Sequence, residues 1–200
     1  MDWLTAIKDI VVTASALTAA VVAVVGLNAW RRQLAGQNEY EVGQHVLRAS
    51  YRVRDAITTV RHPFMSSGEQ AAALAEQTSD TAPTGDAAED HRRAMAAAYN
   101  ARWRGIVDAL QELDVARVEA EALWGPDAAE CCAPLRKCIG RLRWALEERL
   151  SDRTGYPEEL YREIQSTAFS TSDDPEKDAF SASVKDAIAQ VEAFVRPKLK

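Results

Sequence analysis

Histidine and cysteine are scarce in this chain, three of each among 200 residues. So few histidines leave little material for an imidazole-built metal or catalytic centre. The cysteines are odd in number and two are adjacent, which makes no secreted disulfide framework and fits reduced thiols in the cytoplasm. No G-x-G-x-x-G or Walker A run is present to cradle a phosphate, and neither G-x-S-x-G nor H-E-x-x-H occurs. Cys131, Cys132 and Cys138 lack the C-x-x-C spacing of a structural zinc site and read as small core residues. No cofactor, no metal and no catalytic residue set is therefore expected. Basic residues are outnumbered 24 to 30 by acidic ones, and a net charge of −6 argues against a protein that coats duplex nucleic acid.

What the sequence does have is one long uncharged run. Residues 10–30 hold 21 residues without a charge, and a helix of that length spans about 30 Å, the hydrocarbon thickness of a bilayer. Trp3 and Trp30 flank it, as amphipathic rings do at headgroup depth. A cleaved signal peptide fits less well, because Asp2, Lys8 and Asp9 make the start acidic and no A-x-A exit follows. A buried core helix rarely lacks polar residues for so long. The run predicts a retained transmembrane anchor over residues 1–32.

Arg31 and Arg32 follow the run directly, against a lone Lys8 before it. That asymmetry predicts a single-pass inner-membrane protein, its amino terminus out and its carboxyl-terminal domain in the cytoplasm. Ser15, Ala19 and Ala23 recur at steps of four, with Gly26 beside them. Such a face lets helix backbones approach closely in lipid and predicts homo-oligomerisation through the span.

The remainder, 33–200, reads as helices only, so the expected fold is all-α: the N-terminal transmembrane helix followed by a four- to five-helix bundle. Val42, Val46, Ala49, Val53, Ala56 and Val60 form a narrow seam ending before Pro63, and Gly36 and Gly43 predict a bend early in it. Residues 66–90 are poor in large apolar side chains and read as a mobile loop with a short helix at its start. A long helix over 91–124 carries Tyr99, Trp103, Ile106, Leu110 and Leu113 inward, with Val118 and Ala122 continuing the stripe, and Gly125-Pro126 stops it. Leu135, Cys138, Ile139, Leu142, Leu146 and Leu150 share a face of the next helix, and Asp152 to Gly155 reads as a turn. Pro157 with two acids opens another helix, and the 173–176 run repeats that start signal before a last stripe of Phe180, Val184, Ile188, Val191 and Val195.

The best polar cluster is the basic patch Arg48, Arg52, Arg54 and Arg61, with His62 beside it. Residues 31–62 hold six arginines against three acids in an otherwise acidic chain. Such a patch could meet anionic lipid headgroups or RNA, or pair with carboxylates of later helices. Arg136, Lys137, Arg141, Arg143, Arg149 and Arg153 form a second basic run that reads as a solvated face.

Residues 30–36, 51–56, 60–64 and 191–197 (WRRQLAG, YRVRDA, VRHPF and VEAFVRP) are similar to a loosely defined set of bacterial proteins of unassigned activity. These combine one amino-terminal span with a cytoplasmic helical domain. More distantly, the design resembles the small membrane accessory proteins of RNA-targeting CRISPR systems, which carry a HEPN-like bundle and assemble into rings. HEPN ribonucleases set an Arg and a His four to six residues apart; His62 instead has Arg61 adjacent and Arg54 further away. The first resemblance implies architecture only. The span and its small-residue face lead to the expectation of a self-associating, non-enzymatic membrane protein acting as scaffold, sensor or membrane-perturbing effector, with membrane lipid and a protein partner as its contacts. A part in antiviral defence is what the more distant resemblance implies. The alternative is a membrane-tethered HEPN-like ribonuclease or RNA-binding accessory protein using Arg54, Arg61 and His62.

Overall fold

The computed structural model describes residues 2–77, 85–151, 155–170 and 178–199. The chain divides into two compact units, Met1–Glu41 and Val42–Lys200. Described elements are all helical: α1 (Asp2–Arg61), α2 (Ser67–Gln77), α3 (Ala87–Trp124), α4 (Pro126–Glu130), α5 (Ala133–Leu150), α6 (Glu158–Ala168), α7 (Ala179–Val195) and a final 3-10 turn, Arg196–Leu199. No strand occurs among the described residues.

The first unit is helix alone. Leu17, Val21, Val22, Val24, Val25, Leu27 and Trp30 are all exposed there. Ser15, Ala19, Ala23 and Gly26 are exposed as well. Among the described residues no helix is long and apolar enough to cross a membrane; within 10–30, the side chains of residues 10–14, 16 and 20 lie outside the described residues. The fold establishes a helix there, not a span.

In the second unit the end of α1 packs as its seam predicts. Val46, Ala49, Val53 and Val60 are buried, joined by Ile57, while Val42 and Ala56 lie against the core from its edge. The glycines do not interrupt the helix assigned over Asp2–Arg61, and Gly43 is buried against the side chains of Val195 and Leu199. A missing Cβ serves close packing at that position rather than flexibility.

Two short helices among the described residues add to the expected four- to five-helix bundle. α2 is the short helix expected at the start of the loop segment, and α4, which is not among those expected, is a five-residue turn of helix at the Gly125-Pro126 corner. Gly125 adopts φ 84°, a backbone that side chains with a Cβ resist, and so ends α3 sharply. α3 starts earlier than predicted because Asp86 caps it, its carboxylate accepting from Ala88 N at 2.9 Å. Residues 78–84, most of the expected turn at 152–155 and the 173–176 start signal lie outside the described residues; the observed cap of α7 is Asp178.

The core draws on α1, α3, α5, α6 and α7. Ile106, Leu113, Leu135 and Leu142 are fully buried, each burial contributing roughly 1.5–3 kcal/mol. Two stripes differ from expectation. On α3 the inner face continues through Ala116 and Ala120, leaving Val118 exposed at 56% and Ala122 exposed; on α5 it stops at Leu146, leaving Leu150 exposed. Small alanines on the inner face let neighbouring helices come close, which outweighs the gain from burying larger valines.

Candidate functional site

The four arginines of the predicted patch ride on α1, but they do not form one surface. Arg48 is exposed and pairs with no carboxylate among the described residues. Arg52, one turn on, is exposed and ion-paired with Glu112 of α3. Arg54 is exposed, pairs with Asp55 at 2.8 Å and lies 5.0 Å from the Tyr51 ring centroid. Arg61 is 2% exposed, so it leaves the patch altogether.

Arg61 fills a socket built from α6 and α7. Its Nε donates to Thr167 O at 2.8 Å and Nη1 to Ser181 Oγ at 2.7 Å. Nη2 donates to Ser166 O, Phe169 O and Asp178 Oδ2 at 2.7, 2.9 and 2.8 Å. The guanidinium also stacks 4.6 Å from the Phe180 ring centroid. Burial pulls the Arg61 pKa below its usual value, countered in part by Asp178. Burial pushes the Asp178 carboxyl the other way, but the Ser181 backbone N–H and Arg61 outweigh it, so the acid sits below the usual carboxylate range. Asp178 meanwhile caps α7, accepting from Phe180 N and Ser181 N at 3.0 Å. Of the three contacts left open for the patch, lipid, RNA or carboxylates of later helices, Arg61 makes the last, and it locks three helices together.

His62 lies just past the helix end and is exposed, its Nδ1 3.2 Å from Phe64 O. Arg61 and His62 therefore part company, one into the core and one into solvent. With Arg54 paired elsewhere, the three candidate ribonuclease residues do not converge. Of the four patch arginines, Arg52, Arg54 and Arg61 each face a carboxylate, which leaves little net field for a polyanion.

A second arginine clamp went unseen in the sequence. Arg102 of α3 holds Glu69 of α2 with two bonds, 2.5 and 2.9 Å, and donates to His62 O and Phe64 O at 2.8 Å each. It pulls Glu69 below the usual carboxylate range. Neither Arg102 nor Asp178 carried a local signal beyond the cap-like position of Asp178 before Phe180.

The described members of the second basic run are all exposed, the solvated face expected, and two of them are ion-paired. Arg136 reaches Asp114, Arg143 reaches Glu147 at 2.7 Å, and Arg141 lies 5.7 Å from the Phe180 ring centroid. Arg153 lies outside the described residues. At the Gly125-Pro126 corner Trp124 meets Phe194 edge-on at 6.1 Å, and Lys198 covers both rings.

Tyr99, Asn100, Trp103, Arg143, Leu146, Glu147 and Leu150 line a groove of about 110 Å³. That is well below the roughly 300–1,000 Å³ of a small-molecule site. No group of three or more potential metal ligands occurs among the described residues. No protein-family model, curated protein or solved structure matches the chain.

Proposed function

We propose that this chain is a single-pass membrane protein whose helical body self-associates and performs no catalysis itself. The observation that carries the reading is the first part of α1. Val21, Val22, Val24, Val25, Leu27 and Trp30 are all exposed, and at 100° per residue the four valines cover one side of the helix while Leu27 and Trp30 cover the other. A helix that is apolar all round wants an apolar medium or close helical neighbours on every side. The uncharged run 10–30 has the length a bilayer asks for. Arg31 and Arg32 follow it, and Arg32 Nε donates back to Asn28 O at 3.3 Å; placed on the cytoplasmic side, they orient the body inward.

Self-association is supported by the exposed small face of Ser15, Ala19, Ala23 and Gly26, where a Cβ on Gly26 would meet nothing within 4 Å. Scaffold, sensor or membrane-perturbing effector are the roles such an architecture serves; a part in antiviral defence rests on the resemblance alone. A ribonuclease reading finds no support in the separation of Arg54, Arg61 and His62.

Carbonate-washed membranes from cells expressing the full chain provide the test. The protein is expected in the pellet, its carboxyl-terminal domain protected from protease in spheroplasts and cleaved after lysis. Full-length protein in the carbonate supernatant overturns the anchor, and cleavage in intact spheroplasts overturns the orientation.

A further inference from the structure

Cys131 and Cys132 stand where α4 hands over to α5, and their sulfur atoms lie 3.8 Å apart. Cys131 is half-buried and Cys132 fully buried. The separation discriminates between two chemistries. A disulfide needs its sulfurs at about 2.05 Å and its Cα atoms roughly 4.4–6.8 Å apart, whereas adjacent Cα atoms are fixed at about 3.8 Å. Closing that bond would strain a backbone now helical at both residues, φ −60° and −87°. A single atom bridging both sulfurs asks for only a small side-chain rotation: bonds of about 2.3 Å at the roughly 100° angle of a trivalent centre set two sulfurs about 3.5 Å apart.

The bridging atom must be satisfied by two sulfurs from the protein. A structural zinc ion wants four ligands, and no cluster of three ligating residues is present among the described residues. A linear two-coordinate ion would hold its sulfurs at twice the bond length, wider than the gap observed. We propose that Cys131 and Cys132 form a bidentate dithiol site for trivalent arsenicals, which take two sulfurs at a bent three-coordinate centre and keep an outside group as the third ligand.

Arg117 of α3 is a minor influence: its charge is the smallest of those acting on Cys132, and its guanidinium is ion-paired with Asp114 and Glu121 at 3.8 and 3.5 Å. The hydrogen bond from Cys132 draws the Cys131 thiol below its usual pKa, whereas Cys132 is pushed far up by that same bond and by burial. The half-buried sulfur is thus the entering nucleophile and the buried one closes the ring. With phenylarsine oxide the step is a condensation: two As–S bonds form, the As–O bond and two S–H bonds break, and one water leaves. No electrons are exchanged.

The full chain, folded and held in detergent, is treated with phenylarsine oxide. Intact mass is expected to show one phenylarsenic group per chain, resistant to excess monothiol and removed by 2,3-dimercaptopropanol. Cys138→Ser retains this adduct; Cys131→Ser loses its resistance to monothiol. Cys132→Ala is expected to behave like Cys131→Ser, and since its burial puts folding at risk, the half-buried Cys131 carries the decision, with circular dichroism confirming native helicity. No monothiol-resistant adduct on the folded wild-type chain, or an undiminished one in Cys131→Ser, overturns the assignment.

Discussion

A Cβ atom added to Gly43 would stand 2.5 Å from Leu199 Cδ2 and 3.2 Å from Val195 Cγ1, so the final turn of the chain is seated on a bare stretch of α1. Alanine at residue 43 would gain about 1 kcal/mol of helix propensity and lose a comparable or larger amount to overpacking. Gly43→Ala is therefore expected to leave stability unchanged or lower it by about 1 kcal/mol. In a Leu199→Ala background only Val195 Cγ1 at 3.2 Å still crowds the added methyl, so the same substitution should be more favourable than in the wild type, by about 1 kcal/mol. Urea unfolding of the four proteins measures the difference; equal effects in both backgrounds would remove Leu199 as the reason for the glycine.

Replacing one member of the Arg61–Asp178 pair leaves the other charge buried and unpaired, at a cost of about 3–5 kcal/mol. Arg61→Met is expected to lose that much in urea unfolding at neutral pH. Arg61→Met with Asp178→Asn should recover part of it, because asparagine still caps α7 and no buried charge remains. A double variant as unstable as the sum of the singles would show that the two residues act separately.

The same pair sets a pH dependence. Asp178 titrates below the usual carboxylate range in the folded protein, so the folded state holds its proton less well than the unfolded chain does. Its contribution is then complete above the unfolded value of about 3.9 and is lost as pH falls through the lower folded value. Asp178→Asn removes that contribution, so the stability gap between wild type and variant should be widest near neutrality and shrink below about pH 4. A gap that is flat from pH 7 to pH 3 would take Asp178 out of the acid response.

The helix that carries Arg61 is legible in the sequence and the burial of this one arginine is not, for a physical reason. Val46, Val53 and Val60 announce the buried face of α1 through a local period, and Gly125-Pro126 announces a stop through backbone chemistry; both signals sit within a few residues of their effect. Arg61 shares a face with Arg54 at seven-residue spacing, and nothing local separates them. The acceptors that bury Arg61 lie 105 to 120 residues away, on Ser166, Thr167, Phe169, Asp178 and Ser181. Charge patterning told how many arginines there were, and only tertiary packing told which would be buried. The swap of Val118 for Ala116 and Ala120 is the same lesson in apolar form: hydrophobicity ranks valine above alanine, yet the approach distance of neighbouring helices decides the inner face.

Arg102 makes a more local prediction. Arg102→Met deletes both bonds to Glu69 and the two to the carbonyls of His62 and Phe64. Bonds of this kind contribute about 1.5–3 kcal/mol each to charged partners, but α2 belongs to a small satellite cluster of Ala73, Ala97 and Ala98 rather than to the main core. Loss of the clamp should release residues 62–77 while the rest of the unit holds. Hydrogen exchange is expected to speed up by at least tenfold in α2 and stay unchanged in α5 and α7; uniform acceleration would mean that Arg102 supports the whole bundle.

The last prediction concerns the face that the proposed assembly uses. Ala19 and Ala23 are exposed one turn apart on α1, and packing of such residues is what brings spans together where lipid is as apolar as the side chains. Isoleucine at both positions keeps the segment apolar, so membrane insertion should survive, while its branched Cβ holds neighbouring backbones apart. Ala19→Ile with Ala23→Ile is expected to weaken self-association in detergent by about tenfold, equivalent to about 1.4 kcal/mol, read by crosslinking against protein-to-detergent ratio. The carbonate-pelleted fraction should not change. Undiminished crosslinking in the double variant would move the contact off this face, and loss from the pellet would mean that insertion and association are not separable along this helix.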